Sequence, residues 1–162
     1  MTSVHKTVST TVTARTYIPA SDAMAGVRSV DPALTFTGFG PLPAVEATSH
    51  GGPWDRTGDV RTLTFSDGTT ARETITSTGA PAHYSYRLDG LSNVLGRLVH
   101  HAESSWRFIP ETEGSRWEWT FTFATKRYRT TLLRVAILPL WTRYMTRILA
   151  RTVREVKTRF NV

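Results

Sequence analysis

The strongest constraint on the fold of this chain is a strict alternation of aromatic and polar residues between Ser115 and Ala124. Every second position in this segment holds a large aromatic side chain, namely Trp117, Trp119, Phe121 and Phe123. The intervening positions hold Arg116, Glu118, Thr120 and Thr122. A period of two places the aromatic residues on one face of a β-strand and the polar residues on the other. The segment therefore predicts a strand in an antiparallel sheet that has one buried face and one solvated face.

Three other segments show weaker forms of the same alternation, and each predicts a strand. They cover residues 4–16, 82–89 and 100–109. The faces they would bury carry Val4, Val8, Val12 and Ala14; Tyr84, Tyr86 and Leu88; and Ala102, Ser104, Trp106 and Phe108. After the first strand, Pro19 suits the first turn of a short helix, and Asp31-Pro32 ends that helix. Residues 38–59 are rich in Gly and Pro, which predicts mainly loops, although a short strand fits residues 44–48.

A β-hairpin is predicted around Ser66-Asp67-Gly68, and its register can be argued from the sequence. A two-residue loop would place Leu63 opposite Arg72, which mixes apolar and charged partners. A three-residue loop places Leu63 opposite Ala71 and Arg61 opposite Glu73, so that Leu63, Phe65, Ala71 and Ile75 share one face. A type I turn closed by a left-handed glycine fits the three-residue loop. Because a slip of one residue exchanges the two faces of a strand, we predict the three-residue register.

The end of the chain predicts one long amphipathic helix. Apolar residues recur there at steps of three and four: Leu133, Ile137, Leu140, Trp141, Tyr144, Ile148, Val156 and Phe160. Pro139 either begins this helix or kinks it. The predicted order is a strand, a short helix, a run of strands and a long helix, which is a two-layer α+β domain. One helix cannot closely cover a broad sheet with a bulky aromatic face, so a gap suited to a small ligand is expected between them.

Composition limits the class of protein. The 162 residues are 40% hydrophobic and contain no cysteine, which fits one domain spanning residues 1–162 and excludes disulfides and thiolate chemistry. No signal peptide or membrane span is apparent, so a cytoplasmic location is expected. The net charge of +7 is uneven, because residues 126–162 hold ten of the twenty Lys and Arg residues and only one acid. Such a helix attracts an acidic carrier protein or an anionic membrane, or is only a solvated face, and we expect no nucleic acid partner.

Several short patterns along the chain resemble those of a known group of proteins. The resemblance rests on the opening strand that leads into Ile18-Pro19-Ala20-Ser21-Asp22, on Gly58-Asp59-Val60-Arg61, on Asp67-Gly68 followed by Glu73, on Tyr84 and Tyr86, and on Ser115-x-Trp117-x-Trp119. These patterns resemble the SRPBCC superfamily, also called START-like or helix-grip, and within it the polyketide cyclase/dehydrase group. The resemblance implies a curved antiparallel sheet wrapped around the long terminal helix. It also implies an internal cavity for lipids, polyketides or other aromatic molecules, but no shared catalytic motif.

Few residues offer chemistry. Arg61 would polarise a carbonyl, Glu73 would orient it or move a proton, and Tyr86 would donate to an oxygen. The structural alternative is a cross-strand ion pair and an ordinary packed tyrosine. The residues predicted to bind an apolar ligand are Leu63, Phe65, Tyr84, Trp106, Trp117, Trp119, Phe121, Tyr144 and Ile148. No metal ligand set is visible, and no cofactor is expected.

Three classes of function remain open. The chain is an enzyme that cyclises, aromatises or dehydrates a poly-β-carbonyl compound, a carrier or sensor of an apolar and ring-containing molecule, or a docking module that uses its basic helix. Polar groups that converge on the cavity favour the enzyme, and a purely apolar cavity favours the carrier.

Overall fold

The computed structural model describes residues 4–50, 54–80 and 82–162. The chain opens with strand β1 and two short helices, which are β1 (Lys6–Thr16), α1 (Ala20–Ser29) and α2 (Pro32–Thr35). Four strands follow: β2 (Val45–His50), β3 (Val60–Phe65), β4 (Thr70–Gly79) and β5 (His83–Asp89). A short helix then leads into the last two strands, and these elements are α3 (Val94–Leu98), β6 (Val99–Glu111) and β7 (Gly114–Thr125). A long helix, called the terminal helix below, ends at Phe160.

The strands of the described residues form one antiparallel sheet in the order β1-β7-β6-β5-β4-β3-β2. The first strand therefore pairs with the last one, and every other pair of neighbouring strands is consecutive in the sequence. The terminal helix packs against β1, α1 and α2 on one side of this sheet. The predicted α+β architecture, a curved sheet around a long C-terminal helix, is confirmed.

The alternation in β7 buries its aromatic face as predicted. Trp117, Trp119, Phe121 and Phe123 are all at most 2% exposed, whereas the polar residues between them are half-buried. Phe121 contacts Trp141 of the terminal helix, with 4.8 Å between the ring centroids. Because apolar burial is the main favourable term in folding, this face and the apolar stripe of the helix hold the two layers together.

The hairpin between β3 and β4 adopts the predicted three-residue register. Leu63 lies opposite Ala71, and Arg61 lies opposite Glu73. Gly68 has φ of 79°, which is the left-handed conformation that this turn requires. Its backbone N–H donates to the carbonyl of Phe65 at 2.9 Å.

Pro139 explains an irregularity in the terminal helix. The helix starts with one turn at Thr130–Leu132, passes through a π-helical turn at Leu133–Ile137 and continues as an α-helix over Leu138–Phe160. Proline lacks an N–H and its ring clashes with the carbonyl four residues earlier, so the widened turn before it relieves both problems. The α-helical part of the terminal helix therefore begins next to Pro139, and the helix continues before Pro139 as the π-helical turn.

Candidate ligand-binding site

An apolar cavity of about 200 Å³ lies between the terminal helix, α3 and the inner face of the sheet. Three of its lining residues are among the predicted ligand-binding residues, namely Phe65, Phe121 and Tyr144. Other lining residues come from the 41–43 loop, strands β5 and β6, the 91–98 segment and the terminal helix: Pro41, Leu42, Pro43, Leu88, Leu91, Val94, Leu95, Leu98, Ala102, Ile137, Leu140 and Trp141. The sequence pattern does not indicate α3 as part of the site, because five residues are too few to show a helical period.

The wall formed by the terminal helix is aromatic. Trp141 lies edge-on to Tyr144, with 5.7 Å between the ring centroids, and is tilted against Phe121. Both Trp141 and Tyr144 are buried. Rings held at these angles present flat and edge surfaces to a neighbouring ring, which suits offset or edge-to-face contact with an aromatic ligand.

Few polar groups reach this cavity. The hydroxyl of Tyr144 accepts a hydrogen bond from the backbone N–H of Gly38 at 2.9 Å, and burial raises the pKa of this phenol. Two polar atoms on lining residues are buried without a hydrogen-bond partner among the described residues, and they are Nε1 of Trp141 and Oδ1 of Asn93. Asp67 also lines the cavity, and its carboxylate accepts from the N–H of Thr69 at 3.0 Å. The cavity is therefore apolar with a few polar groups on its wall.

The remaining predicted ligand-binding residues lie in the packed core and do not line this cavity. They are Leu63, Tyr84, Trp106, Trp117, Trp119 and Ile148, all of them at most 4% exposed. Trp106 stacks on Trp119 with 4.8 Å between the ring centroids, and Nε1 of Trp119 donates to the hydroxyl of Ser104 at 2.7 Å. The aromatic side chains thus fill much of the expected gap by packing on one another.

Residues outside the predicted strands fill another part of that gap. Phe36, just after α2, lies edge-on to Trp119, and Trp54 lies edge-on to Tyr86 with 5.3 Å between the ring centroids. Both come from segments in which the sequence shows no periodicity. Nothing in the pattern of these segments indicates which of their aromatic residues turn inward.

A second, polar pocket of about 260 Å³ lies beside the Arg61–Glu73 pair. The two side chains form a buried ion pair, with 10% of the Arg61 side chain and 4% of the Glu73 side chain exposed. The guanidinium carbon of Arg61 lies 3.6 Å from the centroid of the Trp54 ring. The pocket is lined by Arg28, Ser29, Val30, Asp31, Pro32, Thr48, His50, Trp54 and Arg61. Arg61 is therefore fixed by a carboxylate and a ring, and it reaches a pocket that Glu73 and Tyr86 do not line.

The surroundings of this cluster keep Arg61 charged and Tyr84 and Tyr86 neutral near neutral pH. Burial acts to lower the pKa of Arg61, but the charge and hydrogen bond of Glu73 and the nearby phenols raise it above its ordinary value. Burial, and then the negative charge of Glu73, raises the pKa of Tyr86 far above its ordinary range. Burial raises the pKa of Tyr84 in the same way. Arg61 is thus a permanent cation, and Tyr86 is a neutral phenol able to donate a hydrogen bond.

Residues 5–161 match the model of the family described as polyketide cyclase / dehydrase and lipid transport. The chain belongs to this family. This confirms the resemblance to the SRPBCC superfamily that the sequence patterns indicated. No curated protein is similar enough in sequence to count as a relative.

Solved structures share the fold of this polyketide cyclase / dehydrase and lipid transport family member at low sequence identity. Ara h 8.0201 is 15% identical with a TM-score of 0.64, covering 94% of this chain and 97% of that one. A point mutant of norcoclaurine synthase from Thalictrum flavum, in complex with a transition state analogue, is 15% identical with a TM-score of 0.61, covering 93% and 96%. Major latex-like protein 151 from Panax ginseng is 14% identical with a TM-score of 0.61, covering 94% and 97%.

Across residues 4–50, 54–80 and 82–162, no group of three or more His, Asp or Glu side chains is placed to hold a metal ion. In the same ranges, no helix is both long and apolar enough to cross a membrane. Among the described residues, the candidate site thus comprises an apolar cavity with aromatic walls and, apart from it, the buried cation Arg61 at a polar pocket.

Proposed function

We propose that this protein binds a small, apolar, ring-containing molecule, polyketide-like or lipid-like, in the cavity beneath the terminal helix and acts as its carrier. The observation that carries the proposal is the cavity itself, about 200 Å³ in volume and walled by Phe121, Trp141 and Tyr144. Water in such a space has few polar partners, so an apolar ligand that displaces it gains free energy. Membership of a family described as polyketide cyclase / dehydrase and lipid transport supports the same class of ligand.

The volume restricts the size of the ligand. Pockets that hold drug-sized molecules measure roughly 300–1,000 Å³. A cavity of about 200 Å³ therefore suits one or two fused rings or a short acyl chain. The unpartnered Trp141 Nε1 and Asn93 Oδ1 favour a ligand that bears a hydroxyl, since this group both donates and accepts. Each unsatisfied buried polar atom costs about 1–3 kcal/mol, so such a ligand recovers part of that free energy.

A cavity-filling substitution tests the proposal. Ala102 lies on β6, is 1% exposed and lines the cavity, so A102L places three more carbons in it. We expect A102L to weaken binding of the fluorescent probe 2-naphthol, whose two fused rings match this volume, at least tenfold. A150L is the matched control, because Ala150 is exposed on the terminal helix. Equal probe affinity in A102L and the unchanged protein, with normal thermal stability, would rule out this cavity as the binding site.

The polar pocket favours a second candidate function, an enzyme that cyclises, aromatises or dehydrates a poly-β-carbonyl substrate. The supporting observation is that Arg61, a permanent cation held by Glu73 and Trp54, lines a pocket. In that role Arg61 polarises a carbonyl and Glu73 orients its guanidinium, whereas Glu73 and Tyr86 do not line the pocket and so do not contact the substrate directly. An acidic carrier protein that bound the basic terminal helix would deliver the substrate.

Turnover separates the two candidates. If the protein is this enzyme, we expect chromatography to detect a cyclised product from a short poly-β-ketone. We also expect a rate at least tenfold lower in E73Q, because Glu73 holds the guanidinium of Arg61, and unchanged binding of the naphthalene probe. R72Q is the control, because Arg72 neighbours Glu73 on the opposite, solvated face of β4. The absence of product above the buffer rate, together with intact probe binding, would leave the carrier.

A further inference from the structure

The cavity reaches solvent between α3 and the start of the terminal helix, and it also does so beside the exposed residues Pro41 and Asp67. Val94 of α3 lines the cavity and is nevertheless 70% exposed. Ile137 and Leu140 of the terminal helix line the cavity from the other side and are only half-buried. An apolar residue that contacts both the cavity and bulk water marks the mouth of that cavity.

Exposed apolar side chains continue from this mouth along the segment before and within the terminal helix. Tyr128 is 83% exposed, Leu132 is 47% exposed and Val135 is 71% exposed. Hydrogen bonds hold this segment beside α3, since the N–H of Lys126 donates to the carbonyl of Leu98 at 2.9 Å and its Nζ donates to the carbonyl of Gly96 at 2.7 Å. The exposed apolar residues therefore lie at one end of the molecule.

The two segments that form this end of the molecule, residues 90–102 and 126–154, carry basic but no acidic side chains. Residues 1–125 as a whole, by contrast, carry a net charge of −2. Four arginines next to the apolar residues are exposed: Arg97, Arg127, Arg129 and Arg134. We call the four apolar residues (Val94, Tyr128, Leu132 and Val135) and these four arginines the mouth patch.

We propose that the mouth patch docks on an anionic lipid bilayer, so that the cavity opens onto the membrane and exchanges its apolar ligand there. The inference deepens the proposed function and rests on it for the ligand, but the docking itself is measured separately. A bilayer surface accepts apolar side chains at its acyl boundary while cations remain at the headgroups, which is the combination found here. An acidic protein would pair with the arginines but would leave protruding Val, Leu and Tyr side chains without a partner, unless it offered apolar pockets for them.

The strength of docking follows from the composition of the patch. Each Lys or Arg near an anionic surface strengthens binding about fivefold, and the effect fades beyond a Debye length. Neutralising two of the four arginines therefore weakens binding about 25-fold. Replacing Leu132 and Val135 by serine removes two side chains that would enter the acyl boundary, which weakens binding roughly tenfold or more.

Co-sedimentation with vesicles tests the docking. The full chain is mixed with large unilamellar vesicles of phosphatidylcholine alone, or of phosphatidylcholine with about one third phosphatidylglycerol. The buffer contains about 0.1 M salt, at which the Debye length is roughly 10 Å. We expect binding to the anionic vesicles only, a loss of about 25-fold in R127Q R134Q, and a loss of about tenfold in L132S V135S. All four positions are exposed, so the variants should keep the circular dichroism and the melting temperature of the unchanged protein.

Two matched controls decide whether the patch, rather than net charge, is responsible. R56Q R154Q removes the same charge at exposed positions outside the patch, and V60S V162S removes exposed apolar side chains elsewhere. Both controls should bind like the unchanged protein. Equal losses in patch and control variants would overturn the inference, and so would binding to polyglutamate without binding to the anionic vesicles. Probe binding measured without vesicles remains normal in every patch variant, so a failure of docking is distinguishable from a failure of the cavity to bind a ligand.

Discussion

Removing the carboxylate of Glu73 should destabilise the fold strongly, because it leaves the guanidinium of Arg61 buried without its counter-charge. The Arg61 side chain is 10% exposed and the Glu73 side chain 4%, so bulk water reaches little of either group and replaces the lost partner only in part. Breaking a buried ion pair from one side costs about 3–5 kcal/mol. The Trp54 ring, 3.6 Å from the guanidinium carbon, remains in E73A and keeps the expected loss near the lower end, about 3 kcal/mol.

The assay is urea unfolding followed by circular dichroism, with melting temperature as a second measure. For a chain of this size, about 3 kcal/mol corresponds to a fall in melting temperature of roughly 6–12 °C. The control is R72A, which breaks the exposed pair that Arg72 and Asp89 form on the opposite face at 2.7 Å. The Arg72 side chain is 60% exposed, so this loss should be within about 1 kcal/mol.

A double substitution separates the loss of a charge partner from the loss of packing. R61M E73L replaces both members of the pair by apolar residues, and such replacements are often neutral or stabilising. We therefore expect R61M E73L to recover most of the stability lost in E73A. If E73A cost no more than R72A, or if the double variant were as unstable as E73A, an unpaired buried charge would not be the cause.

Two further outcomes follow from single features of the sheet. S104A should lower the free energy of unfolding, measured in urea, by about 1–3 kcal/mol, because it leaves Nε1 of Trp119 buried without its acceptor at 2.7 Å. The control S105A lies on the other face of β6 and should change this free energy by less than about 0.5 kcal/mol. Burial lowers the folded-state pKa of His100 and His101 below the ordinary 6.5, so the unfolded chain takes up protons first and stability should fall as pH drops from 7.5 to 5.5. Thermal melts across this range should show a smaller fall in H100Q H101Q, and an equal fall in that variant would refute the assignment.

The strand pattern of this chain could be predicted because its sheet has one dry face. Burial on one side forces the period of two in β7, and the left-handed Gly68 fixes the β3–β4 register, so the Arg61–Glu73 pairing followed from local residues alone. The π-helical turn before Pro139 was foreseen only as a kink or a start. Local rules succeed where the residues that make a contact are close in sequence or share one strand.

The lining of the cavity could not be predicted in the same way. Trp54 comes from a loop without periodicity, and α3 is five residues long, so no pattern placed either of them on the inner face. The alternating strands predict that the sheet aromatics line a gap. In the structure, Trp106 and Trp119 instead stack on each other, and the cavity lies further along, against Trp141. Which part of an apolar interior stays unfilled depends on how side chains from distant segments pack together, and single-segment patterns carry no information on that.

The pairing of β1 with β7 also determines how this chain can fold during synthesis. Lys6 lies opposite Thr125, and β1 additionally packs on the terminal helix. The first strand therefore has no partner until the chain has left the ribosome as far as Thr125 of its 162 residues, and such long-range pairing slows folding. Until then β6 and the earlier strands hold Trp106 and its aromatic neighbours without β7 or the helix over them. A nascent chain that stalls before β7 presents an uncovered aromatic surface, which is the kind of surface that chaperones bind and that aggregates form from.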